Sequence, residues 1–147
     1  MALTNVQVAE QPDLTSIAVY NTSTTTDIAA YQCVIVDASN IMDNALAKNE
    51  LAVTLPTDTT NPSVIIGVTR TIIPALGSGR MIPCGPVTLA KCKGAVTAGT
   101  VVDNSVSAGY TGCIATHTGG KNQLGIALAT GADTDLIPVL LSTAADA

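Results

Sequence analysis

The apolar residues of this chain come in short runs that are always interrupted. The longest aliphatic stretches are Val34 to Val36, Val64 to Ile66, and Leu136 to Leu141 with Pro138 inside it, and none could span a bilayer. The runs LTSIAVY, YQCVIVD, ELAVTL, SVIIGVTRTII, RMIPCGPVTLAKC, GTVVD, GCIATH, QLGIALA and LIPVLLS are β-branched or aliphatic. Gly, Pro, Asn or Ser separates them at the intervals typical of barrels and sandwiches. That rhythm predicts an all-β fold, a small curved barrel. One helix candidate, Ile41 to Asn49, interrupts the series. The polar cluster NTSTTTD after Tyr20 is expected to be a loop.

Composition limits what such a barrel can do. The 147 residues are one domain's length, and with no Phe or Trp and three Tyr the core must be Val, Ile, Leu and Ala. Eleven acids against six bases, with a pI near 4.4, give no positive field for phosphate backbones or anionic lipid. With few rings for bases to stack on, neither nucleic acid nor membrane is an expected partner. MALTNVQVAEQPD has no basic start and no sustained apolar segment, so it reads as the beginning of a protein made in a cytoplasm. Residues 1–13 are expected to form an extended arm, and residues 14–147 a single β-rich domain.

The sequence contains an internal echo. Ile66-Gly67-Val68, then Gly79 and Met81-Ile82-Pro83-Cys84, is followed by Leu124-Gly125-Ile126, then Gly131 and Leu136-Ile137-Pro138-Val139. A glycine within a strand marks a bulge or a close backbone approach, and a proline points to an edge strand or a bulge. A duplication and chance in a glycine-rich β sequence both account for the echo, since the two spacings differ.

Residues able to carry chemistry are few. Cys33, Cys84, Cys92 and Cys113 are too far apart for a metal knuckle and lie among apolar neighbours, so buried thiols are expected, with disulfides an alternative in an oxidising medium. The single histidine, His117, precedes a Gly-Gly pair and is read as an exposed turn residue. Four residues from Cys113, it would stand about 13 Å away along a strand, too far for a nucleophilic pair. Asp133 and Asp135 lack the pattern of a calcium loop and are read as a solvated turn. Gly77 to Arg80 and Thr118 to Lys121 lack the length and ending of a phosphate loop. Hairpin turns explain both, with Arg80, Lys91, Lys93 and Lys121 protecting strand edges. No catalytic, cofactor or metal site is expected, nor a small-molecule substrate. Such a protein acts through its surface, and the mobile arm gains free energy by docking, for instance by adding a strand to a partner.

From Leu14 onward the segment order resembles that of bacteriophage head decoration proteins, also called capsid cement proteins. The likeness is carried by IAVYNTSTTTDIAAYQCVIVD, by VIIGVTRT with the later GRMIPCGPVTL, by KGAVTAGTVVDNSVSAGYTGCIA and by QLGIALATGADTDLIPVLLS. The resemblance implies a small β-barrel or β-tulip domain, usually a homotrimer. It would sit on the outer surface of an expanded icosahedral head, at three-fold and quasi-three-fold positions of the major capsid protein lattice. There it would brace the shell against DNA pressure, with Leu3, Val6, Val8 and Leu14 as the apolar arm contacts. A head fibre base or a tail component is the rival assignment.

Overall fold

The computed structural model describes residues 16–37, 50–57, 65–83, 87–119 and 123–144. The arm residues Leu3, Val6, Val8 and Leu14, the helix candidate Ile41 to Asn49, and Cys84 lie outside them. Among the described residues every element is a strand: β1 Ile17–Asn21, β2 Cys33–Val36, β3 Leu51–Thr54, β4 Ile65–Thr69, β5 Ser78–Pro83, β6 Val87–Lys91, β7 Val101–Asn104, β8 Ile114–Thr116, β9 Gln123–Ala127 and β10 Leu136–Ala144. The all-β expectation holds.

The strands form two units. The first is a closed barrel in the order β1-β3-β2-β4-β5, and the second a five-stranded sheet in the order β6-β10-β9-β7-β8. The second is the first rebuilt. β2 against β4 aligns Cys33 with Val68 and Val34 with Gly67, and β7 against β9 aligns Val101 with Ile126 and Val102 with Gly125. An antiparallel bridge joins Ile28 to Ile73 in one unit and Val96 to Gly131 in the other. Tyr31 donates its N–H to the Thr69 carbonyl at 2.8 Å, and Gly99 donates to that of Ala127 at 2.7 Å. Tyr31 and Gly99 both have positive φ, as do Leu76 and Thr134 in the turns before β5 and β10. The same register, bridges and turns in the same chain order make the architecture a tandem duplication.

Gly67 and Gly125 show why the echo survives at that point. A Cβ on Gly67 would lie 2.2 Å from the Ile82 carbonyl oxygen, and one on Gly125 would lie 2.2 Å from that of Leu140. Neighbouring strands approach too closely there for any side chain. The rest of the echo is displaced. Ile82-Pro83 corresponds to Leu140-Leu141, whereas Pro138 corresponds to Arg80: Leu128 N–H donates to the Pro138 carbonyl as Arg70 N–H does to that of Arg80. Pro138 also lies on a strand paired on both sides, not on an edge. It is tolerated because its missing N–H falls opposite Leu128, where β9 has ended. Gly79 is a β5 residue paired with Val19 and not a turn glycine; the turn is at Pro74 to Gly77. RMIPCGPVTLAKC likewise supplies two strands in different sheets.

The position of Gly79 in the first unit is held by Ile137 in the second, and that of Ile73 by Gly131. A Cβ on Gly79 would meet Ile73 Cγ1 at 2.5 Å, and a Cβ on Gly131 would meet Ile137 Cγ2 at 2.5 Å. Each core thus has one isoleucine and one glycine in contact, with the large and small partners exchanged between the units. Close packing demands this, since the pair has room for one large side chain.

The polar loop expected at Asn21 is also revised. Asn21 ends β1 fully buried, and its amide nitrogen donates to the carbonyls of Thr26 at 2.8 Å, Ile73 at 3.2 Å and Pro74 at 3.3 Å. Those bonds give the Thr26 carbonyl a partner and tie its loop to the turn before β5, adding a second donor to the Ile73 and Pro74 carbonyls, which already accept from the N–H groups of Ile28 and Gly77.

The two units differ at one seam. β1 and β3 pair in parallel at Val19–Leu51, Tyr20–Ala52 and Asn21–Val53, which closes the first barrel. In the second, only the bridge Cys92–Ile114 remains. The gap beside it receives the start of β2. Lys91 N–H donates to the Tyr31 carbonyl at 3.2 Å, and Cys33 N–H donates to the Gly112 carbonyl at 2.7 Å. The Gln32 amide nitrogen adds a bond to the Thr111 carbonyl at 2.9 Å. Cys33, Ile65 and Val68, on the outside of the first barrel, thereby join the apolar core of the second, while Val19, Ile28, Val34, Val53, Ile73 and Met81 fill the first.

The exchanged pairs predict strong coupling. Gly79→Ala should cost about 1–3 kcal/mol by overpacking, and Ile73→Ala about 2–5 kcal/mol by cavity formation. The double variant should be less destabilised than their sum by at least ~1 kcal/mol; Gly131→Ala with Ile137→Ala should behave alike. Urea unfolding of the four-member cycles checks this, and additive losses would contradict the packing described.

Candidate interaction surface

The side chains singled out for chemistry do not assemble. Cys33, Cys92 and Cys113 are buried as thiols. Burial pushes the Cys92 thiol above its ordinary range, helped by the charges of Asp135, Cys113 and Asp133. Burial also raises Cys113, and Lys91 offsets part of that rise. A thiol so placed is a weak nucleophile. His117 is not an exposed turn residue: only 15% of its side chain is accessible, and its Nδ1 lies 3.6 Å from the carboxylate of Asp103, itself 1% exposed. Asp103 occupies the position that Ile35 holds in the first unit, where Ile35 packs on the shared core. Among the described residues, no three His, Cys, Asp or Glu side chains group as metal ligands.

Asp133 and Asp135 do form a turn, and it is a tied one. The Asp133 carboxylate accepts from Gly94 N–H at 2.7 Å and from the Tyr110 hydroxyl at 2.9 Å, while Asp135 accepts from Ala132 N–H at 2.8 Å. The Gly94 bond, then the Tyr110 bond, hold the Asp133 carboxyl below the usual range, and the same hydroxyl bond raises Tyr110. These bonds fasten the loops around Gly94 and Tyr110 to the turn before β10.

The surface itself is distinctive on one side of the second unit. Side chains alternate along a strand, so Val87 and Leu89 of β6, Leu136, Pro138 and Leu140 of β10, and Ile126 of β9 all point outward. The register places Pro138 beside Leu89 and Leu140 between Val87 and Ile126, with Leu128 following β9. Leu136 is 44% and Leu128 47% exposed, and the other leucines, Val87 and Ile126 are exposed as well. The corresponding face of the first unit is different: Ser78, Arg80 and Arg70 stand where the second has Leu136, Pro138 and Leu128. Arg80 there binds the hydroxyl of Ser16 at 2.6 Å and its carbonyl at 2.8 Å. Val68 and Ile82, counterparts of Ile126 and Leu140, are 0% and 5% exposed. A cleft of about 440 Å³ adjoins the apolar face where the units meet, lined by Tyr31, Arg70, Ile82, Val87, Leu89 and Pro138 among others. Sequence reasoning missed this surface. Its signal was apolar residues at both parities of LIPVLLS, which implies that both faces of the strand are covered.

No protein-family model matches the chain, and no curated protein matches it. Among solved structures it is similar to the head fibre gp8.5 N base of bacteriophage phi29, with a TM-score of 0.61. The likeness covers 86% of this chain and 92% of that one, with 12% identical residues. At that identity it is a likeness of fold.

Tyr110→Phe should move the Asp133 titration upward toward the ordinary carboxylate range, short of it because the Gly94 bond remains. A depressed carboxyl stabilises the fold fully above its unfolded-state pKa, and that contribution is lost as pH falls through the lower folded-state value. The variant should therefore lose less stability than the parent on acidification through that window. Carboxyl ¹³C NMR titration with acid-unfolding curves measures both.

Proposed function

We propose that this chain is a structural subunit of a bacteriophage head that binds other virion proteins and carries out no turnover. The observation that carries the reading is the fold shared with the phi29 head fibre base over most of both chains. Two further features support it. The charge-bearing and nucleophilic side chains are dispersed, buried or tied into turns, and the second unit presents a broad apolar face of the kind that marks a protein contact.

Within that reading the chain is a decoration, or cement, protein. Copies sit on the outer surface of an expanded shell at three-fold and quasi-three-fold sites, and residues 1–13 reach across the major capsid protein lattice. A binder selective for the assembled lattice stabilises it by mass action against internal pressure. Linked contacts within a homotrimer engage only when the lattice presents them at the right spacing. The fold likeness favours a second role equally, that of a head fibre base, in which the chain anchors a projecting fibre.

Cryo-electron microscopy of expanded heads mixed with the purified chain separates the roles. Density at every three-fold position supports cement, and density at the foot of a projecting fibre supports the fibre base. Heads that bind nothing would overturn both. Deleting residues 1–13 should leave the protein folded by circular dichroism while its affinity for heads falls at least tenfold; unchanged affinity would remove the arm from the mechanism.

A further inference from the structure

The joint between the units shows what a barrel of this design binds on its outer side. One part of the joint is main chain: Tyr31 to Cys33 lie in the open seam of the second unit, accepting from Lys91 N–H and donating to the Gly112 carbonyl. The other part is apolar. Val68 and Ile82, on the outer faces of β4 and β5, are buried, Val68 in the second unit's core and Ile82 at the cleft between the units. Ser78 and Arg80 lie on the same side of β5 beyond the joint, and they are exposed and polar. Along β4 and β5 the outward aliphatic positions are therefore the covered ones.

The register puts the same two parts on the second unit. Gly99 to Val101 stand where Tyr31 to Cys33 do, with Gly99 in the same left-handed conformation, and Ile126 and Leu140 stand where Val68 and Ile82 do. Here they face outward: Ile126 is 42% and Leu140 37% exposed. Leu136 carries the apolar area into a position that the first unit fills with Ser78. Aliphatic surface of this kind gains free energy when a partner covers it, at roughly 25 cal/mol for each Å² removed from water.

The first unit also shows the occupant, because what covers its outer side is a barrel with an open seam. This chain has no such seam to spare. Its first barrel is closed by the β1–β3 pairing, and the gap of its second unit already holds Tyr31 to Cys33. The occupant is thus not a copy of the chain. It differs from the second unit at one end of the contact as well. Asp103, buried beside His117, and Gln123 stand where Ile35 and Ile65 do, so the partner is polar at the matching place.

We infer that the outer side of β7, β9 and β10 is a docking surface for a β-barrel of a different protein, whose open seam takes in Gly99 to Val101 while its apolar side covers Ile126 and Leu140. Such a contact joins unlike surfaces and leaves any contact between copies of this chain untouched. It goes beyond the virion reading and does not rest on it, since its test uses no heads.

An open seam supplied on the chain itself provides the test. Leu141 corresponds to Pro83, so residues 84–147 placed directly after Leu141, in place of 142–147, add a unit whose gap lacks its Tyr31 to Cys33. The extension should fold by circular dichroism and slow hydrogen exchange of the Val101 amide at least tenfold. Ile126→Arg in the original unit alone would bury a charge without a partner. It should release the extension as a separate urea transition and restore the parent's exchange rate at Val101. A folded extension that leaves Val101 exchange unchanged would overturn the inference, and so would one indifferent to Ile126→Arg. Should the extension stay unfolded, a second version gives the original unit the first unit's residues through Gly99→Tyr, Thr100→Gln and Gln123→Ile. Folding of that version alone would overturn the inference, because the joint would be transferable and the natural surface unable to make it. Unfolding of both would overturn it as well.

Discussion

The architecture depends on a gap in the second unit that it cannot fill itself. β6 and β8 diverge after the single bridge between Cys92 and Ile114, which leaves backbone donors and acceptors facing inward without a strand between them. The backbone from Tyr31 to Cys33 supplies the missing partners through Lys91 and Gly112. Buried peptide groups without partners cost on the order of 1–3 kcal/mol each, so this graft outweighs its small size. Tyr31 keeps the left-handed conformation that the repeated turn also gives Gly99, although it is rare for an aromatic residue, and there its carbonyl accepts from Lys91 N–H while the residue packs against the shared core. The graft explains one local oddity. At Gly112, with φ +79, a Cβ would sit 2.9 Å from the Cys33 carbonyl oxygen, so only glycine lets the two segments close.

Once the units are joined in this way, their sequences are free to diverge wherever the joint does not constrain them. Backbone geometry is kept: the glycines at the tight strand crossing, the positive-φ turns and the paired bridges recur in both. Side chains are not. Isoleucine and glycine trade places between the two cores, and Ile35, which packs on the shared core on one side, becomes a buried Asp103 held near His117 on the other. The division is between what the main chain needs, which is local and strict, and what the cores need, which is a total volume.

This division also governs how much could be read from the sequence. Strands were legible because β-branched runs end at turn residues, and the all-β class followed. Gly67 and Gly125 were visible as a pair because the constraint on them is absolute. The remainder of the echo misled because Ile-Pro recurs by coincidence three residues out of phase with the true correspondence. Asn21 looked like loop because its role, capping carbonyls from a distant turn, belongs to tertiary structure. The seam left no trace, since apart from the Gln32 side chain main-chain atoms make its hydrogen bonds, and nothing in YQC announces it. The apolar face was half legible: LIPVLLS reads as a strand, but a run apolar at every position cannot say which side is covered by its own chain. His117 looked exposed because its neighbours are turn residues, yet Asp103 lies beside it.

The parallel pairing of β1 with β3 gives the tandem a direction. With that seam zipped along Val19, Tyr20 and Asn21, the first barrel lacks the gap that β2 enters in the second unit, while the equivalent of its inserted segment, Gly99 to Val101, lies on the second unit. A third unit of this design, with a gap like that of the second, could take Gly99 to Val101 as the second takes Tyr31 to Cys33, so the joint is one that can be repeated in one direction.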